Sequence, residues 1–505
     1  MNPTVPLLLM LGAVAEPVLH DAKIAQAAPV AVQIDTLLAQ HWSSMDIQPV
    51  GVCDDTTFLR RVTLDLAGRI PTFSEAQEFA KDQSPDKRKR VIRKLMTGSD
   101  YPSQMARILD GIIQDTSAGE GEFVEYLRSS IREHKSWDQM FREMMSGPWD
   151  TKEAMRSMAF IKKRIGSVDD LTTDTSRVFF GVNVSCAKCH DHPLVEDWKQ
   201  EHYFGMASFF NRTVEGSKKK KKDEILEADT GEVQFLTTKG ERKTAKVMFL
   251  SSKVIDAPKD KKVPLREELV KVALADNTFF RRAIVNRLWA NLMGRGLVDP
   301  VDQLHSANPP AIPNLLEWLG DDFAKNGYDL DRVVAGLVMS KAYQRDSRGP
   351  TESADEAERA FGRMPLRALS PYQFSASMIL ANAPDKYDVR NLQGESGRYT
   401  GSKLLDIPSD RFQSSAGEAL YLSNHPEVQK LVQPNGSNLV ARLVAIKDSR
   451  QLVDTAIWTI LSRAPEPEEY SYLASWIDKR TNDKAKAISQ MVWALMTSAE
   501  FRFNH

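Results

Sequence analysis

A chain of 505 residues with 42% hydrophobic and 27% charged side chains is long enough for two or three buried cores and too apolar to be disordered by default. Its 67 basic and 68 acidic residues leave a net charge of -1, so no global field draws it to nucleic acid or to an anionic membrane. Three cysteines are too few for a disulfide-built scaffold, and only Cys186 and Cys189 stand close enough in sequence to act as a pair.

In chain order, the first feature is "VPLLLMLGAVA", Val5 to Ala15, an apolar run of signal-peptide length. Small-residue cleavage sites follow at Ala13–Ala15 and Ala25–Ala27, although no Lys or Arg precedes the run. Residues 1–30 are therefore read as a leader that sends the protein to a periplasmic or extracellular compartment. No later stretch reaches the ~18 uninterrupted apolar residues of a membrane span, so no transmembrane anchor is expected apart from the leader.

The next segment is helical. In "DDTTFLRRVTLDLAGRIPTFSEAQEFA", Phe58, Leu59, Val62 and Leu66 recur at helical spacing, Gly68 and Pro71 stop the helix, and Thr72 with Glu75 forms a capping box for its successor. The helical domain is placed at residues 31–212. After the lysine run Lys218–Lys222, the chain from Glu224 to Leu250 alternates and carries turn signals at Thr230-Gly231 and Lys239-Gly240, which predicts two or three short strands. Residues 213–262 are read as a β-containing insertion or linker, and its five lysines as a solvated loop.

Residues 263–505 read as a second helical domain. Phe280, Ile284, Leu288 and Leu292 make one stripe that Gly294 and Gly296 terminate. Two amphipathic helices follow on either side of Asn326-Gly327, and further helical patterns cover Asp454–Ile477 and Lys486–Phe503. The fold class is thus mainly α, two helical domains with a small hairpin or strand insertion between them.

Chemistry is sparse. The chain has no Gly-x-Ser-x-Gly elbow, no His-Glu-x-x-His, no phosphate-binding Gly-x-x-x-x-Gly-Lys and no dinucleotide fingerprint. Carboxylates such as Asp299 and Asp302 read as surface charge or caps, so a polysaccharide-acting hydrolase is the third and weakest functional class.

The exception is "VSCAKCHDHP", Val184 to Pro193. Cys186-Ala-Lys-Cys189-His190 has the Cys-x-x-Cys-His form of c-type haem attachment. On a helix, positions i, i+3 and i+4 share a face, so two sulfurs would meet the haem vinyl groups while His190 meets the iron as its proximal ligand. Downstream, Trp198, His202, Met206 and Phe210 recur every fourth position, which nominates Met206 and His202 as candidate distal ligands. The bland reading of that stripe is a helix packed on its neighbour. His192, which Pro193 turns away, is the poorer distal candidate.

Zinc uses the same atoms differently: Cys186 and Cys189 with His190, His192 or His202 would complete a tetrahedral site in a non-redox binding or scaffold protein. A redox dithiol is the third option, although no strand-helix pattern of the thioredoxin kind accompanies it. Haem c, with a redox partner protein and an electron-transfer or haem-dependent redox role, is the leading expectation, and zinc is the alternative.

Several long stretches carry a family resemblance: "FLRRVTLDLAGRIPT", "FFGVNVSCAKCHDHP" with "DWKQEHYFGMASFFNRT", "RRAIVNRLWANLMGRGLVDPVD", "NPP", "LSRAPEPEE" and "WALMTSAEFRFNH". Together the chain resembles the large exported proteins abundant in planctomycetes that pair a cytochrome-like domain of unknown function with a characteristic C-terminal domain, also of unknown function. Residues about 31–250 resemble the first and about 263–505 the second. The resemblance implies export and a two-domain helical architecture, and it assigns no substrate.

Overall fold

The computed structural model describes residues 24, 26–115, 121–216, 224–258, 260, 263–349, 354–383, 387–392 and 422–505. The leader run Val5–Ala15 and the lysine run Lys218–Lys222 lie outside the described residues. The fold is mainly helical, with three two-stranded antiparallel pairs among the described residues.

Local signals explain most helix boundaries. The Asp55–Ala67 helix starts where the Asp54 side chain accepts the Thr57 N–H and ends at Gly68 in the left-handed conformation. Thr72 and Glu75 form their reciprocal capping box at the Phe73–Lys81 helix. The Thr278–Met293 helix ends at left-handed Gly294, and Phe280, Ile284, Leu288 and Leu292 are all buried. Asn326 and Gly327 separate helices Leu315–Lys325 and Leu330–Met339 as expected.

The strands are short. β1 (Thr213–Glu215) pairs with β2 (Ile225–Glu227), and β3 (Gln234–Leu236) pairs with β4 (Arg242–Thr244) around Gly240, whose φ of +79° suits the turn. The third pair, β5 (Arg367–Ala368) with β6 (Phe503–Asn504), joins positions far apart in the chain and has no alternation to announce it.

The hydrophobic cores follow a different division from the sequence boundary at residues 213–262. One core takes side chains from Ile24 to Met364 together with Trp458, and so mixes the first helical segment with the second. Its centre shows why: Phe141 lies 4.8 Å from Phe179 and 4.9 Å from Phe280, ring centre to ring centre, so three helices from both halves share one aromatic cluster. Gly336 sits where the Ala28–Met45 helix crosses Leu330–Met339, and a Cβ there would fall 2.5 Å from Val30. A second core collects residues 369–501 together with Leu64 and Ile70.

The two cores are pinned together by the charged residues of "FLRRVTLDLAGR". Arg60 donates to the Phe501 carbonyl at 2.9 Å, and Arg61 donates to the carbonyls of Tyr343, Arg345 and His505. The buried Asp65 carboxylate accepts from Arg367 at 2.7 and 3.0 Å, from the Tyr343 hydroxyl at 2.6 Å and from Asn504 at 2.9 Å. Burial makes such partners obligatory.

Candidate functional site

The cysteine-histidine cluster is set by the end of the Val168–Phe180 helix. That helix closes on Gly181 at φ +66°, and a Cβ at Gly181 would fall 2.5 Å from Leu304 Cδ1. Only glycine meets both demands. Val182 then forms an antiparallel bridge with Gln303, and the Leu304 N–H donates to the Gly181 carbonyl at 2.9 Å.

Asn183 starts the next turn, its Oδ1 accepting from the Ser185 N–H at 3.1 Å and hydroxyl at 2.6 Å. Ser185–Lys188 is a 3-10 turn rather than an α-helix. Cys189 stands just past that turn as its C-cap, so the α-helical face expected from the spacing does not form. Val184 and Ala187 point inward and are fully buried, whereas Cys186, Cys189 and His190 are exposed. All three cysteines are free thiols, and Cys53 is buried away from the other two.

The inner side of the turn is tied down. Lys188 ion-pairs with Asp169, which also accepts from the Tyr203 hydroxyl at 2.5 Å. Those two bonds hold the Asp169 carboxyl below its usual range, while burial, with Asp169 beside it, pushes the Tyr203 hydroxyl up and keeps it a donor. Gln200 donates through Nε2 to the Cys189 carbonyl at 3.0 Å and to the Leu236 carbonyl at 3.3 Å, and its N–H reaches Asp191 at 2.9 Å. Strand β3 is thereby fastened beside Cys189. Two large apolar side chains flank the turn in the open: Leu194 is 84% exposed and Leu236 60%.

The nominated ligands fall in different places. The His190 ring Nδ1 lies 2.7 Å from the Asp191 carbonyl. The His192 N–H donates to the Trp198 carbonyl at 2.8 Å, and its Nδ1 accepts from the Leu194 N–H at 3.2 Å. His202 lies in the first turn of the short Gln200–Ala207 helix, where its Nδ1 accepts from the Lys199 N–H at 3.1 Å and its Nε2 faces the Ser252 hydroxyl at 2.9 Å. An Nδ1 that accepts a backbone N–H carries no proton, so the proton sits on Nε2 and goes to Ser252. Burial and Lys199 hold the His202 pKa down, and this neutral tautomer has no lone pair left for a metal. Met206 is wholly enclosed in the first core.

The aromatic stretch likewise packs as core. The helix covers only eight residues, so Trp198 and Phe210 lie beyond its ends, yet both are buried, and Phe204 stacks on Phe235 at 4.3 Å. Among the described residues no group of three or more His, Cys, Asp or Glu side chains is drawn together to hold a metal ion.

Sequence reading missed His305. It lies between Leu304, bonded to Gly181, and Ser306, whose N–H and hydroxyl donate to Asp197 at 2.8 and 2.6 Å. Its Nδ1 is buried and has no hydrogen-bond partner among the described residues. Burial lowers the His305 pKa, Asp197 opposes that, and the nearby His192 adds to it. Nothing in the spacing of "VDQLHSANPP" links that histidine to one more than a hundred residues earlier.

As a haem-attachment site these residues fit in part. The two thiols are free and, with His190, are exposed, while His202 and Met206 are engaged elsewhere. Residues 33–215 match the family described as PSCyt2, protein of unknown function (DUF1549), and residues 265–396 match PSD1, protein of unknown function (DUF1553), in that order along the chain. No curated protein and no solved structure matches the chain.

Proposed function

We propose, from the premise that residues 33–215 are similar to a family with a cytochrome-like name, that this protein carries one c-type haem on the Ser185–Lys188 turn and passes electrons to a partner outside the cytoplasm. The observation that carries the reading is the turn itself: two free, exposed thiols three positions apart, His190 directly after them, and a buried inner side.

Cys186 and Cys189 would hold the porphyrin covalently, each thiol adding across one vinyl group so that a carbon–sulfur bond forms and the thiol hydrogen ends on the vinyl. No oxidant is consumed. His190 would hold the iron through its imidazole, and the haem would contribute a one-electron redox couple. Leu194 and Leu236 offer the apolar surface that a porphyrin edge needs, and covering them removes two exposed large side chains from water. Val184, Ala187, Asn183 and Gln200 keep the turn in place while the thiols react. The apolar run Val5–Ala15 supports export.

Expression in a host with haem-c maturation is the test. Purified protein is expected to show a Soret band that survives acid-acetone extraction, and Cys186→Ala with Cys189→Ala is expected to abolish it. Colour lost on extraction, no colour at all, or stoichiometric zinc without iron would overturn the proposal.

A further inference from the structure

Away from the cysteine-histidine turn, a polar cavity of about 230 Å³ opens between two loops. One wall is the turn that leads into the Trp137–Ser146 helix, through His134 and Ser136, and the other is the 326–332 segment, through Asn326, Asp329 and Arg332. The Trp137 N–H donates to the Tyr328 carbonyl at 3.0 Å and holds the two loops together.

His134 is oriented from behind. Its Nδ1 lies 2.8 Å from Asp331 Oδ2, and the Tyr101 hydroxyl donates to Asp331 Oδ1 at 2.7 Å. Asp331 is buried. Burial, then that carboxylate, pushes the Tyr101 hydroxyl well above its ordinary pKa, so it stays a donor. A carboxylate only accepts, so in the neutral imidazole the proton sits on Nδ1 and the lone pair on Nε2. His134 is also held at φ +53°, a left-handed conformation that is costly for a side chain with a Cβ.

Ser136 is the N-cap of the ten-residue Trp137–Ser146 helix, yet its side chain makes no capping bond, which is what serine ordinarily does there. It lines the same cavity as His134, two residues away. The Asp138 and Gln139 N–H groups follow in the first helical turn, where no intrahelical acceptor exists and negative charge is favoured. Arg332 is already engaged by both Asp322 oxygens and the Gln26 carbonyl, so it serves as wall.

We infer that Ser136, His134 and Asp331 act as nucleophile, base and orienting carboxylate in the hydrolysis of short-chain carboxylic esters. The Ser136 oxygen bonds to the ester carbonyl carbon as its proton passes to His134 Nε2. The bond from that carbon to the alcohol oxygen then breaks, and His134 returns the proton to the departing alcohol. Water repeats the sequence on the acyl-serine and releases the carboxylic acid. The Asp138 and Gln139 amides stabilise the oxyanion, and Asp331 is a positioning residue that fixes the ring. A cavity below the roughly 300–1,000 Å³ of drug-sized sites limits the acyl group to a few carbons. This activity is independent of the haem reading.

The test uses purified full-length protein, a serine-reactive fluorophosphonate and p-nitrophenyl acetate. Wild type is expected to take one label, located on Ser136 by peptide mass, and to hydrolyse the ester. Ser136→Ala is expected to keep the wild-type melting temperature, lose the label and slow hydrolysis at least about 1,000-fold. His134→Ala is expected to label slowly and to be rescued by added imidazole, which a merely structural histidine would not allow. Asp331→Asn is expected to lower kcat with little change in KM. An unlabelled wild type, a label on another serine, undiminished labelling of Ser136→Ala, or a folded His134→Ala that imidazole does not rescue would each overturn the inference and leave haem attachment untouched.

Discussion

Replacing Asp65 by alanine should loosen the joint between the two cores more than any single apolar truncation there. The Asp65 side chain is 3% exposed and receives both terminal nitrogens of Arg367, the Tyr343 hydroxyl and the Asn504 amide. Burial, then Asp65 itself, pushes the Tyr343 hydroxyl well above its ordinary pKa, so it remains a donor at every relevant pH. Alanine removes the shared acceptor and strands three donors at once. An unpaired buried donor costs about 1–3 kcal/mol, and breaking a buried ion pair costs about 3–5 kcal/mol. Because Arg367 keeps its bond to the Asn291 carbonyl, the lower part of the combined range applies, about 3–5 kcal/mol. Tyr343→Phe removes one donor and leaves the ion pair, so about 1–1.5 kcal/mol is expected.

The assay is urea unfolding followed by tryptophan fluorescence, with limited proteolysis to locate the first region to open. Asp65→Ala is expected to shift the midpoint strongly and to expose residues 369–505 before the rest, since β5, β6 and the second core meet the Asp55–Ala67 helix through this carboxylate. A variant within about 0.5 kcal/mol of wild type, the range of an ordinary surface change, would refute the reasoning.

Acid stability should depend on Glu75. Burial works against its ionisation, but Arg69 at 2.8 Å and the Thr72 N–H hold its carboxyl at about 2, below the ordinary 4.5. A depressed folded-state pKa stabilises above about pH 4.5 and is lost as pH falls towards 2, so Glu75→Gln is expected to flatten the acid limb of a stability-versus-pH curve. Parallel curves for the two proteins would contradict this. Gly181→Ala meets both a left-handed backbone and the Leu304 side chain, which should cost about 1–3 kcal/mol and make the 297–314 loop easier to proteolyse; an unchanged melting temperature would count against it. In protein made without haem, two thiols are expected to react with a thiol reagent in the native state and Cys53 only after denaturation, because burial both hides that thiol and raises its pKa. One or three fast thiols would show the exposure to be misassigned.

Helix positions were legible because their causes lie within a few residues. The stripes Phe58, Leu59, Val62, Leu66 and Phe280, Ile284, Leu288, Leu292 are buried, and the Thr72–Glu75 box and the Gly68 and Gly294 stops all form. The turn at Lys239-Gly240 likewise joins two strands. The cysteine-histidine cluster was legible as a motif. Its conformation was not, because Asn183 and the buried Val184 and Ala187 select a 3-10 turn where spacing alone suggests an α-helix. The four-residue stripe from Trp198 to Phe210 was a true sign of burial, but burial and ligation look alike in a sequence.

By itself, then, the sequence determined the helices, their caps, the short hairpin and the presence of one chemically distinctive turn, since periodicity, capping and turn preferences act over less than a dozen residues. Only the tertiary structure decided that the two helical halves share a core, that Asp65 meets Arg367 and Asn504 across hundreds of residues, that the lone pair of His202 is already taken, and that His305 stands beside the turn. Those facts depend on which distant surfaces meet once the chain closes on itself, and no local pattern encodes that meeting.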